Sequence, residues 1–203
     1  MHLPNVFISY HHHNDQWFKE ALVAMNQRTP IFTDGSVSTN DIPDYLSDEA
    51  IRERIRDDYL RDTTVTIVLV GTETKRRKHV DWEIYSSMYD GHINKKSGIL
   101  VINLPTINCD FFTAQHEGEK STIYPENSDW MNIDNRAEYE RRYPYMPERI
   151  IDNLMKPSAK ISVVDWNRVT SDLGKLRFLI NATHNDRASC AFDLSRPMRR
   201  ANS

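Results

Sequence analysis

The sequence predicts an open, doubly wound α/β fold: a five-stranded parallel sheet with helices on both faces and an elaborated connection after the fourth strand. Three observations carry that expectation. Short apolar runs recur at 6–10, 30–33, 64–70, 99–104 and 161–164. Segments with apolar residues at helical spacing separate them. The separations allow the crossovers of a dozen or more residues that parallel neighbours need, and right-handed crossovers place helices on both faces.

Taken in order, residues 6–10 are apolar and aromatic, and the polar residues after them lead to Trp17, Leu22 and Met25 at near-helical spacing. This reads as strand, loop and helix. Pro30, Ile31, Phe32 and Thr33 make a brief second strand, and the Ser, Thr, Asn and Asp cluster that follows Asp34 and Gly35 predicts a loop to about Asp44. Ser47 suits the cap of the next helix, Asp48 and Glu49 suit its positive N-terminus, and Ile51, Ile55 and Tyr59 repeat along one face. The 64–70 run is β-branched and aliphatic almost throughout, the pattern of a strand covered on both faces. Val80, Ile84 and Met88 then share a helical face, with Gly91 placed to be a left-handed C-cap. Residues 99–104 form a buried strand stopped by Pro105, and 161–164 the last strand, before Val169, Leu173, Leu176 and Ile180 mark an amphipathic helix. The stretch 106–158, with Trp130, Tyr143, Pro144, Tyr145 and Pro147, breaks the rhythm and predicts an insertion with one helix from Met146 to Met155. The expected organisation is a single domain over 1–195 that contains this insertion, then a flexible tail over 196–203.

A length of 203 residues suits one domain, and 39% hydrophobic with 27% charged residues suits a folded one. A net charge of -3 and the lack of a long basic stripe argue against nucleic acid. Cys109 and Cys190 match no zinc spacing and no disulfide framework, which fits a reducing compartment. The first ten residues lack the pattern of a signal peptide, and no apolar run reaches the roughly 18 residues of a membrane span. A cytoplasmic location is expected.

Open α/β sheets bind ligands at the carboxyl ends of their strands, so the loops there are the places to search. The six glycines, at 35, 71, 91, 98, 118 and 174, fit neither the phosphate loop of NTPases nor the G-x-G-x-x-G turn of classical dehydrogenases. No carboxylate ends the third strand, as a phospho-receiver needs, and no G-x-S-x-G elbow is present. After the first strand come Ser9, Tyr10, His11, His12, His13, Asn14 and Asp15. Adjacent imidazoles on a continuous chain point in different directions and no second cluster completes a site, so no metal is expected. A solvated loop is the simple alternative, and an intermediate reading has His11 touching a ligand.

The run Val6-Phe7-Ile8-Ser9-Tyr10 followed by Asp15 resembles the opening of TIR domains. Residues 64–71, then Thr74, Arg77 and Val80-Asp81-Trp82-Glu83-Ile84, resemble the strand, loop and helix of the same family. The likeness extends to the TIR-like signalling component of the bacterial Thoeris antiphage system and covers 6–104 well, the remainder only in outline. It implies the flavodoxin-like version of the open sheet. It also implies that a glutamate on the helix after the third strand is catalytic, and Glu83 holds that position.

The chemistry is consistent with one carboxylate. Breaking the bond between nicotinamide and ribose in NAD creates an oxocarbenium-like cation, which a nearby carboxylate stabilises. Nicotinamide leaves neutral from a cationic pyridinium, so no general acid is needed. The competing reading of Glu83 is a surface helix carboxylate, one of 29 acidic residues. Glu83 lies only about 60° from the Val80, Ile84, Met88 stripe, close enough to border a cleft. Ser9, Tyr10, His11, Asp34 and Gly35 are expected to converge on it. Phe7 and Trp82 could supply aromatic surface for a base, although core packing suits Phe7 better. Many family members carry tryptophan four residues before the glutamate; His79 stands there in this chain, which leaves open whether His79 or Trp82 fills that role.

The resemblance implies an enzyme that consumes NAD as a substrate, with no cofactor, and makes a cyclic ADP-ribose isomer or an ADP-ribose conjugate. The implied partners are a separate effector reached through that nucleotide, a phage-derived trigger and self-association on activation, with no nucleic acid and no membrane. A non-enzymatic TIR-like adaptor and a nucleoside deoxyribosyltransferase are the alternatives, since one fold hosts many functions.

Overall fold

The computed structural model describes residues 2–35, 45–92 and 94–202. Strands β1 (Asn5–Ser9), β2 (Thr33–Asp34), β3 (Val65–Val70), β4 (Gly98–Asn103) and β5 (Ser162–Asp165) form one sheet. All neighbours are parallel and the order is β2-β1-β3-β4-β5. This is the flavodoxin-like order. From β1 the chain winds outward to β2, and from β3 it winds the other way to β5, so the topological switch point lies between β1 and β3.

Period-two alternation sorts the strand residues between two cores. Val6, Ile8, Val65, Ile67, Leu69, Leu100, Ile102 and Val164 face helices α1 (His12–Arg28) and α8 (Leu173–Asp186), which contribute Leu22, Leu176, Leu179 and Ile180. On the other face Val68, Val70, Ile99, Val101 and Val163 meet α3 (Lys78–Met88) through Val80, Ile84 and Met88, and α6 (Glu148–Leu154) through Ile150, Ile151 and Leu154. Phe7 faces the same way and packs with Trp82 and with Ile51 of α2 (Asp48–Arg54). Gly98 permits the close seat of α8 on β4, because a Cβ there would lie 2.5 Å from the Thr183 carbonyl oxygen.

Several elements depart from the sequence reading. The second strand is displaced to Thr33–Asp34, because Asn26 holds the backbone of Ile31 and Phe32 through its side chain. Ser47 does cap α2, accepting from the Ala50 N–H at 3.2 Å, but the helix continues as a π turn over Ile55–Tyr59. Gly91 is not a left-handed cap: α3 closes on Tyr89 in extended geometry, with its N–H still bonded to the Tyr85 carbonyl. Trp17 is 65% exposed and stacks edge-on against Phe18 instead of entering the core. The expected C-terminal helix is two, α7 (Trp166–Thr170) and α8, separated where Asp172 caps the second.

The insertion holds three short helices rather than one: α4 (Glu119–Ile123), α5 (Arg136–Arg142) and α6. Thr113 adds an antiparallel bridge to Val163, which covers the outer edge of β5. Residues 196–202 are docked, in contrast to the expected flexible tail. Arg149, fully buried, donates to the carbonyls of Arg196 and Pro197; the Trp82 indole donates to the Arg199 carbonyl; and the Lys78 N–H donates to Asn202 Oδ1. Met198 is buried against Phe7 and Trp82. No helix among the described residues is long and apolar enough to cross a membrane.

Candidate functional site

Helix α3 is buried on most of its circumference, from Val80 through Met88 except Tyr85. The sheet covers its Val80 and Ile84 side, while α2 and the tail cover Trp82. Glu83 is thereby withdrawn from water at 2% exposure, and Ser9 at the end of β1 donates a 2.6 Å hydrogen bond to Glu83 Oε2. Ser9 points toward α3 for the same reason as Phe7: the two alternate with Val6 and Ile8 along the strand. One layer below, Thr66 and Ser87 are joined at 2.7 Å, so small hydroxyl residues let α3 approach the sheet closely. The result is a carboxylate set beneath the carboxyl edge of the sheet, beside the switch point.

The switch point itself holds Asp15. Its carboxylate is buried at 2% exposure against Gly71, where a Cβ would come within 2.5 Å of Oδ2. Thr74 completes the corner: its hydroxyl accepts from the Gly71 N–H at 2.9 Å and lies 3.5 Å from Asp15 Oδ2. Burial pushes the Asp15 carboxyl up to about 6, and the Thr74 hydroxyl opposes that only in part. Asp15 is marked in the sequence by its place after the 6–10 run, and Gly71 by its place after the third strand; their mutual contact is not, since it depends on β1 lying beside β3.

Tyr10 stacks on His12 at 4.5 Å and donates to Gln16 at 2.6 Å. Burial raises its phenol above the usual range, and the charges of Glu83, Glu20 and Asp34 add to that in turn. His11 is 8% exposed and lies edge-on to His13. Burial and then the Arg77 guanidinium lower its basicity, as burial and then Lys19 do for His12, so both are held neutral near pH 7. Asp34 pairs with Val6, three residues and roughly 10 Å short of Ser9 along the sheet, and the Gly35 N–H bonds the Val6 carbonyl. These two therefore stand at the flank of the site rather than its centre. The loop expected to continue from them, residues 36–44, lies outside the described residues.

Phe7 packs in the core, as its residue type suggested, and Trp82 lies in the core as well, where a ligand-facing ring was the expectation. Each is 1% exposed and sits in the core between β1, α2 and α3, so neither presents a ring face to a ligand. His79 is half-buried, one helical turn before Glu83 on the same side of α3, and meets the Trp82 ring edge-on at 4.9 Å. Of the two candidates for the tryptophan position, His79 is the one with accessible surface. Among the described residues no cluster of three or more His, Cys, Asp or Glu could hold a metal ion.

The family model described as "Thoeris protein ThsB, TIR-like domain" matches residues 7–108, the span from Phe7 through β4 that contains every residue of this site. No curated protein matches the chain.

Proposed function

The chain belongs to the family of the Thoeris protein ThsB, TIR-like domain, and from that premise we propose that it cleaves NAD at Glu83 and releases an ADP-ribose-derived signalling nucleotide. One observation carries the reading: a buried carboxylate on α3, fixed by a serine hydroxyl at a strand end beside the switch point. The Ser9 bond orients one oxygen of Glu83 and leaves the carboxylate geometry set before substrate arrives, the kind of preorganisation that favours a developing cation.

In the proposed step the bond from ribose C1′ to the nicotinamide nitrogen breaks, and its electron pair leaves with nicotinamide, which becomes neutral. The ribosyl oxocarbenium is held by the Glu83 charge until a nucleophile closes on C1′. Water gives ADP-ribose, the adenine of the same molecule gives a cyclic product, and a second small molecule gives a conjugate. Neutral His11 borders the reaction without adding a competing positive charge, and half-buried His79 lies one helical turn from Glu83. The product acts through a separate effector in the cytoplasm, and a phage-derived cue with self-association switches the enzyme on.

The test is mass spectrometry of nucleotides from cells that express the wild type or Glu83→Gln, with and without phage challenge. New ADP-ribose species confined to challenged wild-type cells are expected. Identical profiles, with protection kept in both, would replace the enzyme with an adaptor; turnover of free deoxynucleosides but not NAD would make it a deoxyribosyltransferase.

A further inference from the structure

We propose that a second site, at the opposite edge of the sheet from Glu83, binds a phosphate-sized oxyanion against Arg56. The cavity there, of about 220 Å³, is lined by Arg56, Asp62, Thr63, Thr64, Asn94, Lys95, Lys96 and Arg187. Thr63 and Thr64 precede β3 and Asn94 to Lys96 precede β4, so the cavity lies at the amino ends of those strands. The six residues of β3 separate it from the carboxyl edge by roughly 20 Å.

Arg56 is the reason to expect an anion. It projects from the π turn that ends α2 and is only 4% exposed. Its Nε donates to the Asn94 carbonyl at 3.1 Å, while its Nη1 is buried and, among the described residues, has no hydrogen-bond partner. A guanidinium buried with a donor unmade is a costly arrangement that a bidentate oxyanion relieves. Burial brings its basicity down to about 10, with Asp90 and then Asp57 opposing, and Arg56 stays charged at neutral pH. Both of those carboxylates have other partners. Asp90 receives the Lys96 ammonium at 3.4 Å and the Lys96 N–H at 3.3 Å, and Asp57 receives the Asn94 amide at 2.5 Å.

Lys95, Lys96 and Arg187 surround the same space, and Asp62 is the lining carboxylate. The volume is below the ~300 to 1,000 Å³ of ordinary small-molecule sites, which fits a phosphate group and excludes an enclosed dinucleotide. The inference is independent of NAD cleavage. It assigns the far edge of the domain an anion that is either free phosphate or the terminal phosphate of a nucleotide.

Isothermal titration of the full chain with inorganic phosphate and with adenosine 5′-monophosphate, against sodium chloride at matched ionic strength, tests it. One saturable site for phosphate is expected, weakened at least about tenfold in Arg56→Lys, which loses the fork, and in Lys95→Glu, which reverses a lining charge. Glu83→Gln should bind phosphate as the wild type does. Nucleotide binding that weakens in Lys95→Glu and is tighter than that of phosphate identifies a phosphorylated ligand, and equal or weaker binding identifies the free ion; both support the site. Absence of saturable binding beyond the chloride control, or wild-type affinity in Lys95→Glu, overturns it whether or not Arg56→Lys folds.

Discussion

One side of α3 carries Asp81 and another carries Glu83, two residues apart and both shielded from water, yet their surroundings differ in kind. Asp81 receives Arg149 Nε at 2.9 Å and Nη2 at 3.0 Å, and the Arg199 N–H at 2.8 Å. Arg149 also stacks on Tyr85 and holds two tail carbonyls, so this carboxylate joins three parts of the chain into one network. Glu83 instead meets a strand end and a serine hydroxyl beside the switch point. The lesson is that burial alone does not mark a reactive carboxylate. What sets Glu83 apart is its place at the carboxyl edge, where open α/β sheets receive ligands, and the proposed role is assigned to it on that placement.

The largest expected effect sharpens that contrast: Glu83→Gln should lower NAD turnover by at least about 1,000-fold while unfolding free energy changes by less than ~1 kcal/mol. Chemical denaturation alongside an NAD assay checks both numbers. Arg149→Met should do the reverse. Leaving Asp81 buried without its cation is expected to cost about 3 to 5 kcal/mol, and Asp81→Leu added to Arg149→Met should recover much of it. If Arg149→Met abolished turnover in protein shown to be folded, the division of labour between the two sides of α3 would be wrong.

Asp15 extends the comparison to a third buried carboxylate. Its folded pKa of about 6 lies above the ordinary 3.8, so the native state favours its protonated form. The stability that this proton contributes is complete below about pH 4 and is lost as pH rises toward and through 6. Relative to Asp15→Asn, the wild type should lose roughly 2 to 3 kcal/mol between pH 4 and pH 7, measurable as diverging denaturation midpoints. Parallel curves would mean that Asp15 is ionised in the fold. The smallest effect is reserved for the positioning bond: Ser9→Ala should reduce kcat about 10-fold with little change in KM, consistent with ~1.5 kcal/mol for a hydrogen bond to a charged group.

The interior strands were legible because β3 and β4 are covered on both faces and therefore read as continuous β-branched runs. Ser47 and the Val80, Ile84, Met88 seam were legible because a cap and a helical stripe are local. Glu83 and His79 were singled out only by the family resemblance, because spacing on its own leaves Glu83 one of many helix carboxylates. What escaped were relations made at a distance. Trp82 looks like ligand-facing aromatic surface until Met198 and the Arg199 carbonyl arrive to cover it, more than a hundred residues later. The tail itself docks chiefly through backbone carbonyls, which no side-chain pattern reveals. The insertion helices, at five to seven residues, are too short to establish a period.

That late arrival has a consequence for the newly made protein. Ribosomes add roughly 5 to 20 residues per second, so about 6 to 23 s pass between the synthesis of Glu83 and that of Arg199. Throughout that interval the nascent chain has Glu83 but not the backbone around Arg199 that closes over α3, and for more than half of it Arg149 and β5 are missing too. The cover over α3 is therefore complete only once the backbone around Arg199 has been made, and a product terminated before it carries Glu83 on a helix whose Trp82 side is still bare.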